Sequence, residues 1–127
     1  MEAEADMKKL VGAVSHHDWE VQELREDREF ALGYLKAALE SLDNPEERGV
    51  SLVMLRALAE AYGGLGMVAK EAGISRESLY RSLSPKGNPT LKTLVAVVNT
   101  MGLRLSVVEA RPANKKRVKT KTTRAAA

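Results

Sequence analysis

Residues 65–83, LGMVAKEAGISRESLYRSL, decide how this chain is read. Val68 and Ala72 place apolar bulk on the inner face of a first short helix, and Ala69 is small where a second helix must cross closely. Gly73 permits the positive φ that ends the first helix and turns the chain. Ile74 plugs the corner, Ser75 caps the second helix, and Leu79 and Leu83 face the core one turn apart. The spacing predicts a helix-turn-helix, with helices over 65–72 and 75–83. At about 100° per residue, Glu77 and Arg81 stand nearly opposite the two leucines, with Tyr80 and Arg76 on the flanks. Arginine can bond guanine through a bidentate pair, glutamate can accept from cytosine N4, and serine adapts to either. Ser75, Arg76, Glu77, Tyr80 and Arg81 are therefore candidate base contacts for a helix whose N-terminal part enters the major groove.

An ordinary helical hairpin with solvated polar residues shares this spacing, so the surroundings must decide. Residues 64–108 hold six basic residues against two acids, a balance of +4 that suits a polyanion. The loop that follows is Lys86-Gly87-Asn88-Pro89-Thr90. Lys86 supplies a cation, Gly87 and Asn88 allow close backbone approach, and Thr90 caps a helix whose free N–H groups suit a phosphate. Lys86, Asn88 and Thr90 are candidate phosphate contacts, and that next helix is predicted over 90–101.

Working outward, Asp27 caps a helix with Glu29 in its first turn, and Ala31, Tyr34, Leu35, Ala38 and Leu42 repeat at helical spacing. Asn44-Pro45-Glu46-Glu47 reads as a capped start for a further helix that buries Leu52, Leu55, Leu58 and Tyr62 and ends at Gly63-Gly64. Gly49 weakens its first turn. Met7, Leu10, Val11 and Val14 fit a short amphipathic helix or, equally, a segment that stays disordered unless bound, and Trp19, Val21 and Leu24 form an apolar patch of unassigned form. Leu103-Arg104-Leu105-Ser106-Val107 alternates as a half-buried strand does, and a lone strand needs a partner, most simply its copy in a second subunit. Past Arg111-Pro112 the chain reads as a disordered basic tail. The expected fold is all-α: about five short helices, one C-terminal β-strand that pairs across a dimer, and a division into a partner-binding N-terminal extension (1–28), a helical DNA-binding domain (29–108) and the tail (109–127).

The chain has 127 residues, 29% charged and 44% apolar, enough for one domain. Its net charge of +3 hides a segregation. Residues 1–60 carry 14 acids against 7 basic residues (−7), and residues 61–127 carry 13 basic residues against 3 acids (+10). The split suits two partner surfaces, DNA for the basic half and a basic protein for the acidic half, or equally a pair of solvated faces. With no cysteine, disulfide frameworks and thiol chemistry are excluded. Five aromatic residues are too few for a stacking platform on single strands. No apolar run is long enough to span a bilayer and the N-terminus lacks a signal-like stretch, so the expectation is a cytoplasmic protein with no membrane contact, gathered on the nucleoid when bound to DNA.

Residues 16–108 resemble the addiction-module antidote proteins of bacterial type II toxin–antitoxin systems, in the branch with a Cro/C1-type helix-turn-helix. The resemblance is carried by LREDREF (24–30), YLKAALE (34–40) and ALAEAYGG (57–64), and most specifically by GISRESLYRSLS (73–84) and KGNPTLKTL (86–94). It implies a homodimeric autorepressor that binds its own operator and sequesters a small basic toxin of the RelE/ParE/HigB type, typically an mRNA-cleaving ribonuclease. Carried over by position, Ser75, Arg76, Glu77, Tyr80 and Arg81 become base or near-base contacts, and Lys86, Asn88 and Thr90 phosphate contacts. Two features depart from the pattern: Ser82 stands where a core apolar residue is usual, with Leu83 as its substitute one place on, and the basic tail has no counterpart. Trp19, Leu24, Phe30 and Tyr34 are the anchors the acidic half offers a toxin, since buried aromatics dominate interface energetics, and the same four would serve equally to complete the core.

No catalytic constellation emerges. Adjacent His16 and His17 point apart and have no further His or Cys to complete a metal site. Helix capping accounts for Asp43, Glu46 and Glu47, and Gly63-Gly-Leu-Gly66 lacks the Lys-Ser/Thr of a phosphate loop. The expectation is a non-enzymatic protein without cofactor or metal. Two rivals to the antitoxin reading stand: a repressor that acts without a toxin, and a helical protein-interaction adaptor.

Overall fold

The computed structural model describes residues 16–110, which form six helices and no strand. Helix α1 covers 16–26, followed by α2 (Arg28–Glu40), α3 (Arg48–Ala61), α4 (Gly64–Ala72), α5 (Arg76–Ser82) and α6 (Leu91–Thr100). The all-α class is as expected.

Local chemistry sets most of the helix starts. Asp27, in extended backbone, accepts a hydrogen bond from the Phe30 amide at 3.0 Å and starts α2. Ser75 does the same for the Ser78 amide at the head of α5, and Thr90 for the Thr93 amide at the head of α6. Each cap satisfies one of the four orphan N–H groups of a helix start. Asn44 behaves differently from expectation. Its Oδ1 accepts from the Glu46 amide, but residues 45–47 close as turns and regular helix begins at Arg48. Gly49 explains itself here: a Cβ on it would lie 3.2 Å from the Pro85 carbonyl, so glycine lets α3 press against the loop after α5.

The chain swings by 105° between α3 and α4. Gly63 and Gly64 make the corner with φ of +96° and +89°, a region that costs residues bearing a Cβ. Helix α3 is the hub, in contact with α2, α4 and α6, while α4 packs against α5 and α6. Leu24, Leu52, Leu55, Leu58, Val68, Leu79, Leu83, Val97 and Val98 are fully buried where these helices meet. Burying one such side chain is worth about 1.5–3 kcal/mol against the entropy of ordering the chain.

Several helix C-termini are closed from far away. Arg25 donates to the Ala61 and Glu60 carbonyls at the end of α3, and Arg28 donates to the Met101 carbonyl at the end of α6 (2.7 Å). Arg48 donates to the Leu42 carbonyl just past α2, and Arg56 reaches the Leu83 carbonyl that ends α5. A cation on these orphan carbonyls also complements the helix dipole.

The structure refines three expectations. Residues 16–26, left unassigned above, are a helix that sends Val21 and Leu24 into the core. Residues 103–107 form no ladder within one chain: the Leu103 amide bonds the Val98 carbonyl and Leu103 is half-buried, and a pairing strand must come from a second copy. Ile74 does not plug the corner. It is 36% exposed, and the turn is held instead by the bond from its amide to the Ala69 carbonyl (3.0 Å) across Gly73. The amphipathic stretch 7–14 and the basic tail from residue 111 lie outside the described residues.

Candidate nucleic-acid interface

The geometry of residues 65–83 follows the leucines. Leu79 and Leu83 have no exposed surface, and Val68, Ala69 and Ala72 of α4 are buried opposite them. Gly73 sits at φ +73°, where a Cβ would also come within 3.1 Å of the Lys92 ammonium. Ser82, the departure noted above, is half-buried and satisfies its hydroxyl by donating to the Leu79 carbonyl. Leu83 fills the core position one residue later.

With the leucines turned inward, Ser75, Arg76, Glu77, Tyr80 and Arg81 are all exposed. Lys86, Asn88 and Thr90 are exposed as well, so the structure brings the eight candidate DNA residues to the surface of α5 and of the loop leading into α6. They are not equally free. The Ser75 hydroxyl is occupied by capping and lies 3.0 Å from the Ser78 hydroxyl, and the Thr90 hydroxyl holds the Thr93 amide. What Thr90 offers an anion is therefore the head of α6 rather than its own side chain. Arg76, Glu77 and Lys86 engage no partner among the described residues, which leaves their full hydrogen-bonding capacity for a ligand.

Gly87 has a different job from the one expected. A Cβ there would fall well under 3.0 Å from the carbonyl oxygens of Ser82 and Arg81, and its amide donates to the Ser84 carbonyl at 2.7 Å. The close approach that requires glycine is to the C-terminal end of α5, which folds the loop back beside that helix and brings Lys86 and Asn88 near it.

Sequence reasoning missed Arg56. Its guanidinium carbon lies 4.3 Å from the centroid of the Tyr80 ring, and Nη1 donates to the Ser84 hydroxyl at 3.1 Å. The signal in the sequence is partial: a charge between the apolar Leu55 and Ala57 marks Arg56 as unusual, but no spacing names Tyr80 as its partner. Tyr80 keeps 48% of its surface exposed.

The acidic half divides its four candidate anchors. Leu24 is wholly buried and serves the core. Trp19 is 60% exposed and stacked on His16, and Phe30 is 43% exposed and meets the edge of Tyr34. Tyr34 is half-buried, with its hydroxyl 3.0 Å from the Glu20 carboxylate. Burial, then the Glu20 charge and the hydrogen bond to it, push the phenol well above its ordinary value. The two histidines take separate partners, His16 on Trp19 and His17 on the Glu60 carboxylate at 2.7 Å. Among the described residues no single helix is long and apolar enough to cross a membrane.

A family model described as "Probable addiction module antidote protein" matches residues 15–109, about three quarters of the chain. A protein of Haemophilus influenzae, named there only as uncharacterized, is 43% identical over 47 residues, which are 37% of this chain and 48% of that protein. The matched part thus spans about half the length of that relative. No solved structure matches the chain.

Proposed function

The chain belongs to the addiction module antidote family, and from that premise we propose that it is a DNA-binding antitoxin with a helix-turn-helix of the Cro/C1 type. In this reading it binds its operator as a homodimer, represses its own operon, and neutralises a small basic ribonuclease-type toxin of the RelE/ParE/HigB kind. Its role is regulatory rather than catalytic.

The observation that carries the DNA-binding part is the orientation of α5: both leucines buried, and all five candidate base contacts exposed beside the loop that bears Lys86 and Asn88. Such a helix enters the major groove N-terminus first. Arg76 and Arg81 offer bidentate donors to guanine, and Glu77 an acceptor to cytosine N4. Lys86, Asn88 and the head of α6 at Thr90 meet phosphates, which supply most of the affinity and none of the sequence choice. The apolar–polar alternation of residues 103–107, with Val107 and Val108 almost fully exposed, supports pairing of two copies through a shared ladder.

For the toxin, the supporting feature is the charge of residues 16–30. They hold six acids and two arginines, and both arginines are spent on carbonyls of α3 and α6. Six acids against two arginines leave this stretch net negative, with Trp19 and Phe30 as exposed apolar anchors beside it.

Fluorescence anisotropy with duplex DNA from upstream of the protein's own gene tests the roles. Arg81→Ala is expected to relax base preference by about 1–3 kcal/mol, whereas Lys86→Ala weakens all sequences alike and lowers the salt slope by about one. If both changes weaken every sequence equally, the role assignment is wrong. If the wild-type protein prefers no duplex, the adaptor reading replaces it. Absence of a short basic reading frame beside the gene would instead favour a repressor acting alone.

A further inference from the structure

Helix α5 has seven residues, too few to hold a helix in water without tertiary support. Its apolar attachment is the pair Leu79 and Leu83, one turn apart. Two anchors one above the other define a line along the helix, and rotation about that line leaves both of them buried. Each residue is offset by about 100° around the axis, so a modest roll changes which of Arg76, Glu77 and Arg81 points outward. A third attachment off the line is needed to fix the roll.

We propose that Arg56 is that attachment: a positioning residue on α3 that sets the roll of α5, and through it the DNA sequence preference, without touching DNA. The inference rests on the DNA-binding reading above. One guanidinium makes three contacts at once. It lies against the Tyr80 ring on the flank of the helix, with Cζ 4.3 Å from the centroid. It donates to the Ser84 hydroxyl at 3.1 Å and reaches the Leu83 carbonyl at 3.4 Å. Ser84 in turn donates to the Tyr80 carbonyl at 2.7 Å, which closes a small ring of contacts around the C-terminal end of α5. Arg56 itself projects from the hub helix, between buried Leu55 and Ala57, so it transmits a fixed reference. Both oxygens are reached from Nη1 while the guanidinium carbon sits over the ring; a lysine ammonium that donated to the same two oxygens would leave the ring without its delocalised cation.

Because the cation is half-buried against a tyrosine, and not presented to solvent as Lys86 is, its loss changes selectivity rather than electrostatic affinity. The full chain is titrated with its upstream duplex and with a shuffled duplex at several salt concentrations, as wild type, Arg56→Lys, Tyr80→Leu and the double variant. Arg56→Lys is expected to lower the ratio of the two affinities about fivefold to tenfold with the salt slope unchanged. In the Tyr80→Leu background the same change costs less than in wild type, because the ring contact is already gone and only the bonds to Ser84 and the Leu83 carbonyl remain to be lost. An unchanged ratio or additive effects would each overturn the proposal, and so would a slope reduced by about one in Arg56→Gln, which removes the charge that Arg56→Lys keeps and would thereby expose Arg56 as a phosphate contact.

Amide exchange without DNA separates this proposal from the reading beneath it. The Leu83 and Ser84 amides bond to the Leu79 and Arg81 carbonyls, and in Arg56→Lys they should exchange about tenfold faster while α2 amides do not change. Unchanged exchange removes the proposal whatever the DNA result. A wild-type protein that prefers no duplex, yet shows the faster exchange in the variant, sinks the DNA-binding reading and leaves Arg56 as the residue that holds α5.

Discussion

The α4–α5 unit and the α1–α2 pair are held by opposite kinds of contact. In α4–α5 the polar bonds are short in sequence, Ile74 amide to Ala69 carbonyl and Ser78 amide to Ser75 hydroxyl, except where Arg56 reaches the C-terminal end of α5. In α1–α2 they are long. Arg25 reaches residues 60 and 61, His17 reaches Glu60, and Arg28 reaches Met101, 73 positions away. The first region is therefore shaped largely by its own neighbours, with Arg56 as its long-range hold, and leaves Arg76 and Glu77 without a partner among the described residues. The second takes its shape from the rest of the fold and spends its cations on it.

If the difference concerns only polar contacts, the apolar anchors of both regions should count alike. Leu24→Ala and Leu79→Ala remove fully buried side chains from α1 and α5, and each is expected to cost about 2–5 kcal/mol in urea denaturation. A cost for Leu24→Ala of less than about 1 kcal/mol would mean that α1 is docked on the domain rather than folded with it.

The next test separates near from far. Arg28→Met and Ser75→Ala should each cost about 1 kcal/mol, the first through a carbonyl left without its charged donor and the second through a lost cap. Their reach should differ. Amide exchange in Ser75→Ala is expected to rise within α5 alone, while Arg28→Met loosens both the start of α2 and the end of α6. Equal local effects in the two variants would erase the contrast.

The same contrast decides what could be read from residues alone. Gly73, Ser75, Asp27 and Thr90 were legible because a cap or a turn involves residues a few positions apart, and the Leu79–Leu83 spacing announced the buried side of α5. Helix α1 was not legible, since its stretch shows only Val21 and Leu24 as buried periodic residues and depends on α2 and α3 for the rest. Arg56 against Tyr80 was invisible for a related reason: the pair is separated by 24 positions and the 105° bend at Gly63-Gly64 brings it together. Gly87 was recognised as a site of close approach but assigned the wrong neighbour, because sequence tells that a Cβ is missing and not what fills its place. At residues 103–107 the alternation is present, but a ladder needs two segments and a single chain offers one.

The smallest effect bears on a contact between α1 and α2 beside their exposed aromatics. Tyr34 bonds Glu20, the residue after Trp19, and its ring meets the edge of Phe30. Burial and the adjacent carboxylate raise its pKa above the ordinary 10.0, so the folded protein holds the phenolic proton more tightly than the unfolded chain does. Stability from this group is fully present below pH about 10 and falls as pH climbs from there toward the folded value. Tyr34 is only half-buried, and solvent screening keeps the whole effect to a fraction of a full buried pair. Thermal melts of wild type and Tyr34→Phe between about pH 8 and 11 should show a constant gap in favour of wild type at the lower end that closes above about 10. Other tyrosines and the lysines titrate in both proteins and cancel in the difference. A gap that stays constant through the alkaline range would mean that Glu20 does not hold the hydroxyl in solution, and Trp19 and Phe30 would then sit on two helices free to shift against each other, a poorer surface for any partner.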